Sequence, residues 1–217
     1  MGHFNLPKHT VVNKSIPKNA FDKYTNTKQK KLFVDVVDKI KWQNKISKET
    51  VNLPGKDIEE IQVFEIQLRR KDKIETLLDI IDKSIPYHII FILMVGNEIM
   101  ISVSKKHIHP TNEDQSVIDW TFRSNWIAKD KFSFELNLKE SVDSVFSDIC
   151  FQVSGKKFSL LGDLIDHEQK VREIENEINK IRGAIKRAKQ FNKKVDLNLR
   201  LKVKESELDE FEKYTDN

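Results

Sequence analysis

The chain has 217 residues, 38% apolar and 33% charged, with thirteen Phe, three Trp and a formal net charge of +4. That pairing of aromatic bulk with surplus charge points to one folded body carrying a solvated, highly charged extension. Six Gly and five Pro exclude a collagenous or low-complexity chain, and the lone Cys150 excludes an internal disulfide framework and any Cys-based zinc site.

The first thirty residues read as loop, because Leu6 and Ile16 each precede a proline and so disfavour helix. A helix is expected over Lys28 to Trp42, where Leu32, Val36 and Ile40 share one stripe with Phe33 and Val37 beside it. Lys45 to Leu53 reads as a turn and a short strand, broken at Asn52-Leu53-Pro54-Gly55. Ile58 to Leu68 reads as a long strand with Ile61, Val63, Glu65 and Gln67 on one face and Gln62, Phe64, Ile66 and Leu68 on the other. A helix follows over Lys73 to Ser84 and stops at Pro86. Tyr87 to Val95 and Glu98 to Ser104 read as a hairpin, since Gly96-Asn97 suits a type II′ turn. Val117 to Ile127 and Phe132 to Leu138 alternate as strands, and Ser141 to Val153 reads as a helix.

From Asp163 the texture changes. Leu164, Val171, Ile174, Ile178, Ile181, Ile185 and Ala188 form a seam in an otherwise charged helix, and from Val171 the spacing alternates three and four. The seam degrades at Gln190 to Lys194 and resumes at Leu197, Leu201, Leu208 and Phe211. An antiparallel helical hairpin with its tip near residues 189–196 fits this pattern, with one continuous helix as the competing reading. The expected fold is therefore α+β. A mixed or antiparallel sheet with packing helices occupies residues 1–160, and a C-terminal antiparallel helical (coiled-coil) hairpin occupies 161–217.

The longest apolar run, Ile89 to Val95, is far shorter than the roughly 20 residues of a membrane helix. Met1 to Thr10 has no hydrophobic signal region, and the single cysteine fits a reducing compartment. A cytoplasmic protein with no membrane partner is expected.

Net charge is unevenly placed. Residues 1–50 carry +7, residues 51–162 carry −3, and residues 163–217 balance to zero. Within that last stretch, Lys180 to Lys204 holds ten basic residues and the single acid Asp196. Such a block can track a phosphate backbone, dock on an acidic protein, or simply be a solvated face. The candidate contact residues are Lys186, Arg187, Lys189, Gln190, Phe191, Lys193, Lys194 and Arg200, in which Phe191 offers a stackable ring and Gln190 an amide.

Two other constellations bear on chemistry. Glu65-Ile66-Gln67, in a strand followed by a helix and another apolar strand, resembles part of the PD-(D/E)xK nuclease core. There an upstream acid and the strand acid hold a divalent metal such as Mg²⁺, and the third residue orients water. Asp57, Glu59 and Glu60 are candidate upstream acids that lie closer than that motif normally allows, with Asp35 and Asp38 as further candidates, and Gln67 stands where Lys is usual. The bland alternative pairs Glu65 with Arg69, Lys41 or Lys45. His107 and His109, two apart, could share a metal on a strand but have no evident third ligand. No cofactor is expected beyond Mg²⁺ under the nuclease alternative. His88 and Cys150 read as structural, and the chain has no phosphate loop, serine elbow or dinucleotide fingerprint.

Several segments taken together are familiar. They are Phe4 to Pro7, Val12 to Asn19, Phe33 to Trp42 with Lys45-Ile46-Ser47 and Thr50-Val51-Asn52, Val63 to Ile66, Ile81 to Tyr87, and Lys189 to Asn198. Nearly the whole chain thereby resembles a bacterial and archaeal domain-of-unknown-function family, numbered four-three-nine-one. The resemblance implies a place beside helicases and DNA methyltransferases in restriction or phage-defence loci, and it brings no assigned catalytic residues. The expected function is an accessory, non-catalytic subunit that contacts DNA, or a helicase or methyltransferase partner, through the basic tip. A metal-dependent nuclease, or a degenerate descendant, using Glu65 and a coiled-coil oligomerisation protein are the alternatives.

Overall fold

The computed structural model describes residues 3–213, and the chain divides into two compact units, Met1–Ser154 and Gly155–Asn217. The first unit holds β1 (Val11–Ile16), α1 (Thr27–Val36), β2 (Val37–Ser47), the one-turn α2 (Lys48–Val51), β3 (Glu60–Leu68), α3 (Ile74–Lys83), β4 (His88–Val95), β5 (Glu98–His109), β6 (Asn112–Arg123), β7 (Ile127–Ala128) and α4 (Val142–Ser154). Its sheet runs β1-β2-β3-β4-β5-β6, with β7 added against β5. Every pairing is antiparallel except β3–β4, which are parallel and joined through α3. The body is thus α+β with a mixed sheet.

Alternation assigns the sheet's two faces. Phe64, Ile66 and Leu68 of β3 join Ile89, Phe91 and Leu93 of β4 in a cluster with Phe33 and Val36 of α1 and Ile74, Leu77, Leu78 and Ile81 of α3. The intervening residues Ile61, Val63, Ile90 and Ile92 are equally buried, and α4 packs against β3, β5 and β6. Strands β3 and β4 are therefore covered on both sides, which explains their near-continuous apolar runs. At the β4–β5 turn Gly96 has φ +56° while Val95 pairs with Glu98, the two-residue type II′ geometry that Gly favours.

Four expectations need correction. The helix expected to Trp42 ends at Val36, where β2 begins. Bulges between Val37 and Lys39 and between Trp42 and Asn44 disrupt the strand's alternation, so buried Val37 and Ile40 fall three apart and imitate helical spacing. The turn and strand expected over Lys45 to Leu53 are instead the end of β2 and then α2, which stops at Asn52 with φ +55°. The N-terminal loop contains edge strand β1, whose burial pattern carries no apolar alternation. Finally, Phe132 to Leu138 pairs with no strand among the described residues. Its alternation arises because it runs extended along α4. The Glu135 N–H donates to Gln152 Oε1 (2.9 Å), Gln152 Nε2 donates to the Glu135 carbonyl (2.9 Å), and Asn137 Nδ2 donates to Asp148 Oδ2 (2.8 Å). Period-two burial needs one buried side, not a sheet partner.

The second unit is a helical hairpin. Helix α5 (Leu161–Arg187) and helix α6 (Phe191–Lys213) pack together around a three-residue turn, so the continuous-helix alternative is excluded. Leu164, Val171, Ile174 and Ile178 are buried, whereas Ile181 and Ile185 nearer the turn are only half-buried. Cross-helix ion pairs fix the register, with Arg182 to Glu205 at 2.7 Å and Lys204 to Glu177 at 2.8 Å. Away from the turn, the ring of His167 stacks on Phe211 with centroids 4.9 Å apart. Among the described residues, no helix is long and apolar enough to cross a membrane.

Candidate functional site

The basic residues singled out in the sequence converge at the hairpin tip. Lys186 and Arg187 are the last residues of α5, Lys189 and Gln190 lie in the turn, and Phe191, Lys193 and Lys194 open α6; all are exposed. The turn forms because the Ala188 N–H closes back on the Ala184 carbonyl (2.9 Å) while the Gln190 carbonyl accepts the Lys194 N–H (3.1 Å) to start α6. Arg200 lies farther along α6 and pairs with Asp196 at 3.1 Å.

The tip's electrostatics differ from those of the hairpin's middle. Arg182, Arg200 and Lys204 each have a carboxylate partner. Among the described residues, Lys186, Arg187, Lys189, Lys193 and Lys194 have none. The first turn of α6 also contains no acid, so Lys193 and Lys194 sit beside the partial positive charge of a helix N-terminus. That placement is unfavourable by about 0.3–1 kcal/mol per cation. An incoming anion would relieve it.

The nuclease constellation is not assembled. Glu65 is half-buried in β3 and accepts a hydrogen bond from Gln43 Nε2 on β2. Gln67 Nε2 donates to the Met94 carbonyl at 3.3 Å. Burial holds the His3 imidazole below its ordinary pKa, with Glu65 nearby acting in the opposite direction. Asp57 is exposed and precedes β3, so at about 3.3 Å per strand residue it lies more than ~15 Å of chain from Glu65. Glu60 is held by Lys45 at 2.6 Å, and Asp38 by Arg69 at 3.1 Å; Glu59 and Asp35 are exposed. Nor do the two histidines of β5 converge, since His107 pairs with Asp119 at 2.8 Å and His109 with Thr111. Among the described residues, no group of three or more His, Cys, Asp or Glu is placed to hold a metal ion.

Sequence reasoning missed a buried polar network in the body. The Lys106 side chain is fully buried in β5, and its Nζ donates to Asp82 Oδ1 (2.7 Å), the Asp82 carbonyl (2.7 Å) and the Ile85 carbonyl (2.8 Å). Ser116 Oγ donates to the same two carbonyls. Burial pushes the Asp82 carboxyl up and the Lys106 ammonium down, each opposed by the partner's charge. The available sequence signal was the Ile81-to-Tyr87 segment, since Lys106 stands among Ser102, Ser104, Lys105 and His107 of β5 and does not stand out there. A second anchor is the Asp143 carboxylate, which accepts the N–H groups of Lys56, Asp57 and Ile58 at 2.8–2.9 Å. Burial opposes its charge, but those donors outweigh it and its pKa is lowered. Gly55 sits in this loop because a methyl there would lie 2.3 Å from the Ile58 carbonyl oxygen. Cys150 is buried and its thiol pKa is pushed up by burial, so it is a core residue.

No curated protein and no solved structure matches the chain. A family model described as Domain of unknown function (DUF4391) matches residues 4–208, spanning the sheet and most of the hairpin. The chain accordingly belongs to that family of domains of unknown function.

Proposed function

We propose that this protein is an accessory, non-catalytic subunit of a prokaryotic restriction or defence assembly, and that its basic hairpin tip contacts nucleic-acid phosphates. One observation carries the reading. The exposed cations from Lys186 to Lys194 have no carboxylate partner among the described residues, and two of them crowd a helix N-terminus, while Arg182, Arg200 and Lys204 farther along are paired. Phosphate oxygens satisfy both the cations and the α6 N-terminus. Phe191, 79% exposed at the apex, adds a ring on which an unpaired base can stack. The assignment to a defence assembly rests on the family resemblance and on the helicase and methyltransferase neighbours that it implies.

The test is a salt-titrated binding assay on short single- and double-stranded DNA, with and without Mg²⁺, with products run on a gel. Intact DNA is expected, bound with an affinity that falls steeply with salt. Replacing Lys189, Lys193 and Lys194 together by Ala should reduce the slope on duplex by about 2–3, from roughly 0.9 per phosphate contact. An unchanged slope overturns the phosphate reading, and Mg²⁺-dependent cutting lost in Glu65→Ala overturns the non-catalytic one.

A further inference from the structure

The +7 excess of residues 1–50 lies in the body, and the hairpin tip accounts for none of it. Part of it lines a groove. Two cavities of about 820 and 670 Å³ open along α3, and both are lined by Gln29 of α1 and Thr76 of α3, so they are the halves of one continuous trough. Helical spacing sets its course. Lys73 at the head of α3, then Thr76, Ile80 and Lys83, recur every three or four residues on one face, and Lys28, Leu32 and Asp35 do the same on α1. Ile80 is part of the core and Leu32 packs on it, so these two form the floor, while the lysines stay exposed at the rim. From Lys73 to Lys83 the trough runs about 15 Å at 1.5 Å per helical residue. Lys23 and Tyr24, from the 3₁₀ segment Lys18–Tyr24, line the same half as Lys83.

Charge selects the occupant. Arg70 is held by Asp72 at 3.3 Å, and Asp79 faces Arg123 at 3.9 Å. Among the described residues, Lys28, Lys31, Lys73 and Lys83 have no carboxylate partner. Lys23 rests over the Tyr24 ring at 4.6 Å, which orients its charge without cancelling it. Against these five stands the unpaired Asp35. The lysines are strung out, three in one half of the trough and two in the other, which suits a chain of single negative charges rather than one compact anion. Uncharged donors lie where the halves meet. Gln29 Oε1 accepts the Asn26 N–H, leaving its amide nitrogen to donate, and the Thr76 hydroxyl is exposed. Amides and hydroxyls of this kind bond phosphate, sugar and base oxygens. Packed helices stand about 8–10 Å apart, so a trough between α1 and α3 admits one strand and not a duplex.

We infer that this trough is a second nucleic-acid site, which takes a single strand along α3 with its phosphates on Lys23, Lys28, Lys31, Lys73 and Lys83. Its ligand class rests on the nucleic-acid reading above, but it shares no residue with the hairpin tip.

Fluorescence anisotropy of the full chain on labelled oligo-dT and on duplex DNA, over a salt series, tests it. One variant combines Lys28→Gln, Lys73→Gln and Lys83→Gln, all at exposed positions. It should lose about 2 from the single-strand salt slope, at roughly 0.7 per phosphate contact, and bind oligo-dT weaker by on the order of tenfold. Its duplex slope should stay unchanged. In the wild-type chain, oligo-dT should slow amide exchange in α1. An unchanged single-strand slope overturns the inference, and so does an equal loss on duplex or an α1 that exchanges no more slowly with oligo-dT bound. Polyglutamate that displaces oligo-dT as well as unlabelled oligo-dT does also overturns it, in favour of an acidic protein. The variant with Lys189, Lys193 and Lys194 replaced by Ala is measured alongside. If it alone loses slope, the trough fails and the tip reading stands; if the trough variant alone loses slope, the tip reading fails and the trough stands.

Discussion

His88 opens β4 with its ring 7% of its residue surface exposed, edge-on to Phe146 with centroids 4.6 Å apart. Among the described residues its Nε2 has no hydrogen-bond partner. Burial first, then the nearby Lys105 and Lys106, lowers its pKa from 6.5 to about 3. The folded-state pKa lies below the unfolded one, so the neutral ring's contribution is complete above pH 6.5. It is lost as pH falls toward about 3. By pH 4 the loss amounts to about 3 kcal/mol at roughly 1.4 kcal/mol per pH unit. Urea unfolding of wild type and His88→Gln at pH 7 and pH 4 checks this. The variant should lose much less stability on acidification, and parallel curves would show that His88 is not responsible.

At the scale of elements, Lys106 fastens the end of α3 and the turn into β4 to the middle of β5. This gives the Ile81-to-Tyr87 segment a structural purpose, since three oxygens from Asp82 and Ile85 surround one ammonium. A buried pair adds little net stability over an apolar replacement, but removing one partner strands the other. Lys106→Ala should therefore cost about 3–5 kcal/mol. Combining Lys106→Met with Asp82→Asn should cost clearly less than the two single changes together, because Ser116 Oγ still donates to both carbonyls. Thermal or urea melts of the four proteins give the coupling. Additive losses would mean that the contacts act independently. The same scale explains the misread segments. Two bulges gave β2 a helical period, and packing along α4 gave Phe132 to Leu138 a strand's period without a strand.

At the scale of the whole molecule, stability is unevenly distributed. Strand β4 is central in the sheet and covered on both faces, while seam burial in the hairpin weakens from Ile178 toward the turn. Local opening follows buried contact, so exchange protection should grade accordingly. Amides of Ile89 to Leu93 should exchange slowest, and those of the first turns of α6 fastest among the two long helices. Hydrogen-exchange mass spectrometry or NMR reads this directly, and a tip as protected as β4 would contradict it. The arrangement also suits the proposed function, with an exposed cationic tip presented by a helical hairpin.

Sequence alone determined the regular parts. The apolar runs of β3 and β4, the Gly96 turn, the α3 stripe and the α5 seam are local patterns, and local geometry imposes them. The basic block was legible for the same reason, because charge is written residue by residue. Tertiary structure decided what depends on residues distant in the chain. It left Asp57 remote from Glu65, gave Lys106 its partners on α3, and showed that Phe191, Val195, Leu199 and Val203 face away from α5. Spacing can show that residues share a face, but only the packing of the other elements decides whether that face is covered, paired or left open.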